Sequence, residues 1–172
     1  SIYRRMISTC YTMGSYMLVP YDVCLVGGVP RYYGKPQEYQ DIYGFVRKNA
    51  ALLDGYEDAF LAGPAIEDDR YDNDPPVFSD NHNICIAARA KPGQPNAPVV
   101  IHVVDWRETA KPFNVTLNSK RFFGKSPVNI KILRPAQSEQ TIASGYVSTI
   151  NIPKITPWAM LVVEKASPAK GL

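Results

Sequence analysis

Histidine and cysteine are scarce in this chain, with two and three residues among 172. Cys10, Cys24 and Cys85 lie far apart and form no Cys-x-x-Cys pair, which excludes a zinc ribbon and a thioredoxin-like redox motif. At most one disulfide is possible. The apolar flanks of Cys24 and Cys85 favour buried free thiols, so cysteine usage leaves the compartment undecided. No apolar run reaches the roughly 20 residues of a membrane-spanning helix. The phosphate-binding loop and the dinucleotide fingerprint are both missing, because Gly27-Gly28 precedes no helix start at the required spacing. No Gly-x-Ser-x-Gly elbow accompanies His82 or His102, so a hydrolase triad has no support. His102 sits inside an apolar run, as a core histidine would. The net charge of +3 is too mild to point to nucleic acid.

A chain of this length can bury roughly 70% of its unfolded surface, so a real core is available. Its 45% hydrophobic and 11% aromatic content argues against disorder. A complete (β/α)8 barrel needs about 250 residues and does not fit whole.

Ile2, Met6, Ile7, Cys10 and Met13 recur at helical spacing, and Gly14 suits the position after a helix end. A helix is thus predicted over 1–14. It is already under way at residue 2 and carries no apolar signal core, so a processed or truncated product is expected. Residues 16–23 form a near-continuous apolar run, the pattern of a strand buried on both faces of a parallel sheet. Pro20 marks the end of that strand or a bulge. Tyr39, Ile42, Tyr43, Val46, Ala50 and Leu53 then make one apolar stripe between Pro36 and Gly55, which predicts a second helix over 38–54. Helix, strand, loop and helix in that order belong to an α/β protein.

From about residue 60 the pattern changes. Asp68, Asp69, Asp72, Asp74 and Asp80 offer hard oxygen donors, but no register has the glycine and glutamate of an EF-hand, so a solvated linker is the expectation. Beyond it, short β-type runs at 84–90, 99–106, 113–117, 128–133, 146–152 and 158–163 are divided by Pro, Gly, Asn and Lys. That rhythm predicts an antiparallel sandwich. Residues 99–104 read as a central strand and 128–132 as one with a wet face. Asn114-Val115-Thr116 fits an N-glycosylation acceptor.

The candidate chemistry lies after the first strand. Asp22, preceded by Tyr21 and followed by Arg31, Tyr32 and Tyr33, combines a carboxylate, a guanidinium and aromatic faces. Such a set suits a polyhydroxylated ligand, with rings stacking on sugar faces and charged groups holding hydroxyls. Equally, the tyrosines pack beneath the loop and Asp22 caps backbone donors.

Two stretches then carry a resemblance. Tyr16-Met17-Leu18-Val19-Pro20-Tyr21-Asp22, Pro30-Arg31-Tyr32-Tyr33-Gly34, Tyr43-Gly44-Phe45-Val46-Arg47 and Leu52-Leu53-Asp54-Gly55-Tyr56-Glu57 resemble the closing βα unit of a (β/α)8-barrel glycoside hydrolase. The run from Val99 to Trp106, Pro112-Phe113-Asn114-Val115 and the run from Pro157 to Glu164 resemble the C-terminal antiparallel sandwich that follows such barrels. The resemblance implies an α/β segment at 1–60 (the last helix–strand–helix of a TIM-type barrel), an acidic linker at 61–82, an all-β antiparallel sandwich at 83–166 and a tail at 167–172.

It further implies the C-terminal portion of a carbohydrate-active hydrolase. Substrate contacts would come from Asp22, Tyr21, Arg31 and Tyr32, and the catalytic carboxylates would lie in a preceding segment. A carbohydrate substrate and a companion polypeptide or second copy are the expected partners. No nucleic acid, membrane, metal or cofactor is expected, and a secreted or periplasmic location is favoured over a cytoplasmic one. The alternative is a non-catalytic carbohydrate-binding sandwich module or a structural interaction domain.

Overall fold

Residues 99–104 are apolar but for His102 because the strand they form is covered on both sides. The computed structural model describes residues 1–17, 23–24, 30–31, 36–62 and 75–166. In chain order the elements are α1 (Ile2–Thr12), a short pair β1 (Val23–Cys24) and β2 (Pro30–Arg31), α2 (Gln40–Lys48), β3 (Glu57–Ala62), β4 (Val77–Phe78), β5 (Ile84–Ala90), β6 (Val99–Asp105) and β7 (Phe113–Leu117). They continue with α3 (Lys120–Phe123), β8 (Val128–Leu133), β9 (Gln140–Gly145), β10 (Thr149–Ile152) and β11 (Trp158–Lys165). Single 3-10 turns at Pro36–Glu38 and Ala50–Leu52 flank α2.

Six strands make one antiparallel sheet in the order β3-β5-β6-β11-β8-β9, and a smaller sheet runs β10-β7-β4. The two sheets enclose one core. Ile84, Ile86, Ile101, Val103, Leu161 and Ile130 meet Phe113, Val115, Leu117, Ile150 and Ile152 there. The opposite face of the large sheet carries Cys85, Val100, Val104, Trp158 and Met160, and these pack under Ile7, Tyr39, Ile42 and Phe45 of the helical segment. Helices, large sheet and small sheet are therefore three stacked layers, each burying the apolar face of the next. The middle strands β5, β6 and β11 are buried along nearly their whole length for this reason. β8 alternates buried and half-buried residues, and β9 forms the open edge.

The helical layer is pinned by polar contacts. Arg4 donates to Asp41 at 2.8 Å and to the Glu38 carbonyl, tying α1 to α2. The Arg5 guanidinium donates to the carbonyls of Asp105 and Arg107, tying α1 to the end of β6. Trp106 Nε1 donates to Thr9 Oγ1 at 3.1 Å. Gly14 ends α1 with φ +71°, and the guanidinium of Arg89 from β5 sits where a Cβ would lie, 2.5 Å from its ideal position. A cation at a helix C-terminus complements the dipole, and α1 has no basic residue of its own in its last turn.

The barrel resemblance is corrected by this arrangement. Among the described residues, 1–60 show no helix–strand–helix unit of a TIM-type barrel, and the fold is mostly β, with α1 and α2 both laid on an antiparallel sheet. Of the strand predicted over 16–23, residues 18–22 lie outside the described residues, while Val23 pairs with Arg31 and the next residue, Cys24, with Pro30, antiparallel and short. The predicted stripe of α1 packs only in part, through Ile7 and the half-buried Cys10. Ile2, Met6 and Met13 are exposed, whereas Ile7, Ser8, Thr9 and Thr12 are buried. Small hydroxyl residues bring the helix close to a sheet face already filled by Trp158, and they satisfy themselves locally: Ser8 Oγ donates to the Arg4 carbonyl and Thr12 Oγ1 to the Ser8 carbonyl, both at 2.8 Å. The second helix is shorter than predicted. It stops at Asn49, whose Nδ2 donates to the Phe45 carbonyl at 2.8 Å.

Candidate functional site

Alternation on the small sheet decides what it shows to solvent. Val115 and Leu117 point into the core, so Asn114 and Thr116 point out. The same alternation exposes Thr149 and Asn151 on β10 and Phe78 on β4. Register places Phe78, Thr116 and Thr149 on one rung, and Asn114 beside Asn151, with Asn151 Nδ2 donating to Asn114 Oδ1 at 3.3 Å. The outer face is thus a ladder of hydroxyls and amides with an aromatic ring at its edge.

That edge opens into a groove of about 740 Å³ lined by Phe78, Thr116, Asn118, Ser119, Lys120 and Tyr146, among others. Its volume falls within the range of ligand clefts, about 300–1,000 Å³. One wall is α3, a single turn. Phe123 anchors it in the sandwich core, and Gly124 ends it at φ +61°. The other wall is the β9–β10 connection. Gly145 turns the chain at φ +103°, Val147 packs on the core, and the Ser148 carbonyl accepts from the Leu117 N–H at 2.9 Å. Tyr146 is held between these fixed neighbours with its side chain in solvent, 82% exposed, and Phe78 across the groove is 41% exposed. Two large rings kept in water by an otherwise well-buried framework form an apolar surface rimmed by polar groups, the usual mark of a recognition site. Sequence reasoning missed both. Tyr146 lay in a run read as strand and Phe78 in a stretch read as linker. A lone aromatic after a turn glycine was the available signal for Tyr146 (Gly145-Tyr146).

Several chemistry-bearing residues elsewhere among the described residues are committed to structure. His102 is fully buried, stacks on Trp158 at 5.8 Å, and has its pKa pushed down to about 3 by burial and by the nearby charge of Arg89. Cys85 is a buried free thiol pushed up to about 12 by the same desolvation, and Cys10 is free and half-buried. In a crevice of about 340 Å³, Arg4, Arg5 and Asp105 are already engaged: Arg4 donates to Asp41, Arg5 to the Asp105 carbonyl, and Asp105 accepts from the Arg107 guanidinium at 2.8 and 2.9 Å. Among the described residues no three His, Cys, Asp or Glu side chains gather as a metal site would require. Of the residues expected to contact substrate, Asp22, Tyr21 and Tyr32 lie outside the described residues. Arg31 is described only as a backbone position in β2. Trp158 packs inside, and Trp106 is half-buried.

Comparison with protein-family models, with curated proteins and with solved structures finds no match to this chain.

Proposed function

We propose that the chain is a carbohydrate-binding β-sandwich module whose ligand lies in the groove between α3 and the β9–β10 connection. The observation that carries this reading is the pair of exposed rings, Tyr146 and Phe78, at the end of an outward ladder of Asn114, Thr116, Thr149 and Asn151. Sugars present apolar C–H faces and a periphery of hydroxyls. Aromatic rings suit the first, and amide and hydroxyl side chains suit the second. The described lining of the groove contains no carboxylate. Hydrolysis of a glycosidic bond uses a pair of them, so recognition is the chemistry this groove offers. The hydrolase expectation leaned on a barrel unit that the fold replaces, and the binding reading needs no barrel.

Affinity electrophoresis in gels containing neutral and acidic polysaccharides tests the proposal. Retardation by at least one glycan, lost in Tyr146→Ala and Phe78→Ala, is the expected result. Retardation by none of them, or retardation untouched by both substitutions, contradicts it.

A further inference from the structure

We infer that the ligand of this groove is an anionic glycan, a pyranose chain bearing carboxylate or sulfate groups; the inference rests on the carbohydrate reading above. The charged side chains of the described lining are Lys120 and Lys125, with no acidic partner among them. Neither lysine makes an ion pair among the described residues. Three other lysines of the sandwich have partners: Lys131 lies 3.3 Å from Glu139, Lys165 donates to Asn96 Oδ1, and Lys91 sits over the Tyr56 ring. Lys111 and Lys154 make no ion pair among the described residues.

The two groove lysines stand at either end of α3, the turn that Phe123 fastens into the core, so their backbone positions are set by the fold. Two cationic side chains on fixed backbone positions beside two exposed rings match a ligand that alternates apolar sugar faces with anionic substituents. Ammonium groups act there as point charges toward carboxylate or sulfate, and the attraction falls with salt. The acidic run at 67–74 leads in sequence to Pro75, the first lining residue, so its charge is separated from that of the lysines in the test below.

Matched glycan pairs decide the matter with the full chain. Dextran sulfate is compared with dextran, and polygalacturonate with its methyl ester, by titration at about 50 mM and about 0.5 M salt. Binding to one or both anionic members, at least about tenfold tighter than to the neutral member at low salt and converging at high salt, is expected. The pair that shows the difference tells sulfate from carboxylate. Lys120→Gln/Lys125→Gln is expected to remove most of that difference, and Tyr146→Ala to weaken every glycan. Asp68, Asp69, Asp72 and Asp74 changed together to Asn is expected to leave anionic binding intact or tighter.

Equal binding of both members of each pair, or wild-type behaviour of the lysine variant while Tyr146→Ala still fails, overturns the anionic inference and leaves the carbohydrate reading standing. Loss of anionic binding in the aspartate variant also overturns it. Binding to no glycan overturns both. A poly(dT) oligonucleotide that competes as well as the anionic glycan reassigns the groove to nucleic acid and overturns the inference.

Discussion

Replacing His102 by leucine should leave the protein at least as stable at neutral pH and should remove a large part of its acid sensitivity. The side chain is fully buried beneath the helical layer, opposite Ala87 on β5 and Met160 on β11, and neither ring nitrogen has a hydrogen-bond partner. An apolar replacement of similar volume therefore sacrifices no hydrogen bond and relieves two orphaned polar atoms. The sign of the pH effect follows from the pKa. In the unfolded chain the imidazole titrates near its ordinary value of 6.5, whereas in the fold burial, helped by the charge of Arg89, lowers it to about 3. Between those values the unfolded state binds a proton that the folded state refuses, so stability is complete above pH 6.5 and drains as pH falls. The slope is about 1.4 kcal/mol per pH unit, or about 2 kcal/mol lost by pH 5 through this one group.

Urea unfolding followed by tryptophan fluorescence at pH 7.5, 6.5, 5.5 and 5.0 reads the effect. The buried Trp158 stacked on His102 serves as the reporter. The difference between wild type and His102→Leu cancels the contribution of the carboxylates and isolates the imidazole. Parallel curves for the two proteins from pH 6.5 to 5 would show that the ring takes up its proton in the folded state. In that case the helices would not seal this face of the sheet, and the layered arrangement would be refuted.

Two further outcomes probe the helical layer. Gly14→Ala should cost about 2 kcal/mol by thermal unfolding, because the position combines φ +71° with a Cβ site 2.5 Å from Arg89 Nη1; an unchanged melting temperature would mean that α1 ends differently. Asp41→Asn should cost about 1 kcal/mol at neutral pH by removing the ion pair with Arg4. The hydrogen bond and charge of Arg4 hold the Asp41 carboxyl below its ordinary value. The penalty should therefore vanish as pH falls through that lowered pKa, and a penalty independent of pH would show that the pair contributes nothing through charge.

The strands that could be read from sequence are those with strong periodicity. β5, β6 and β11 are near-continuous apolar runs because two layers cover them, and β7 and β8 alternate because one face meets solvent or partial cover. The elements that escaped notice lack such a signal. β3 carries a bulge between Asp58 and Phe60 that breaks its alternation, β4 has two residues, and β9 is an edge strand with little burial to enforce a pattern. For the helices, periodicity announced the element without announcing its destination. An amphipathic helix over a parallel barrel and one over an antiparallel sheet have similar stripes, and in α1 the face that packs joins Ile7 to the small hydroxyl residues, while Ile2, Met6 and Met13 of the predicted stripe are exposed. The groove was hidden for another reason. Phe78 and Tyr146 come from distant parts of the chain and meet only because register and the β9–β10 turn bring them together. No local pattern encodes that meeting.

The groove itself is tested most directly by following backbone amide resonances of the full chain while a soluble polygalacturonate oligomer and a dextran sulfate oligomer are added in turn. Shifts that saturate and cluster at 75–78, 116–126 and 146–148 are the predicted result. Shifts centred on the helical layer at 1–17 and 104–110, or a spectrum unmoved by either oligomer, would contradict it.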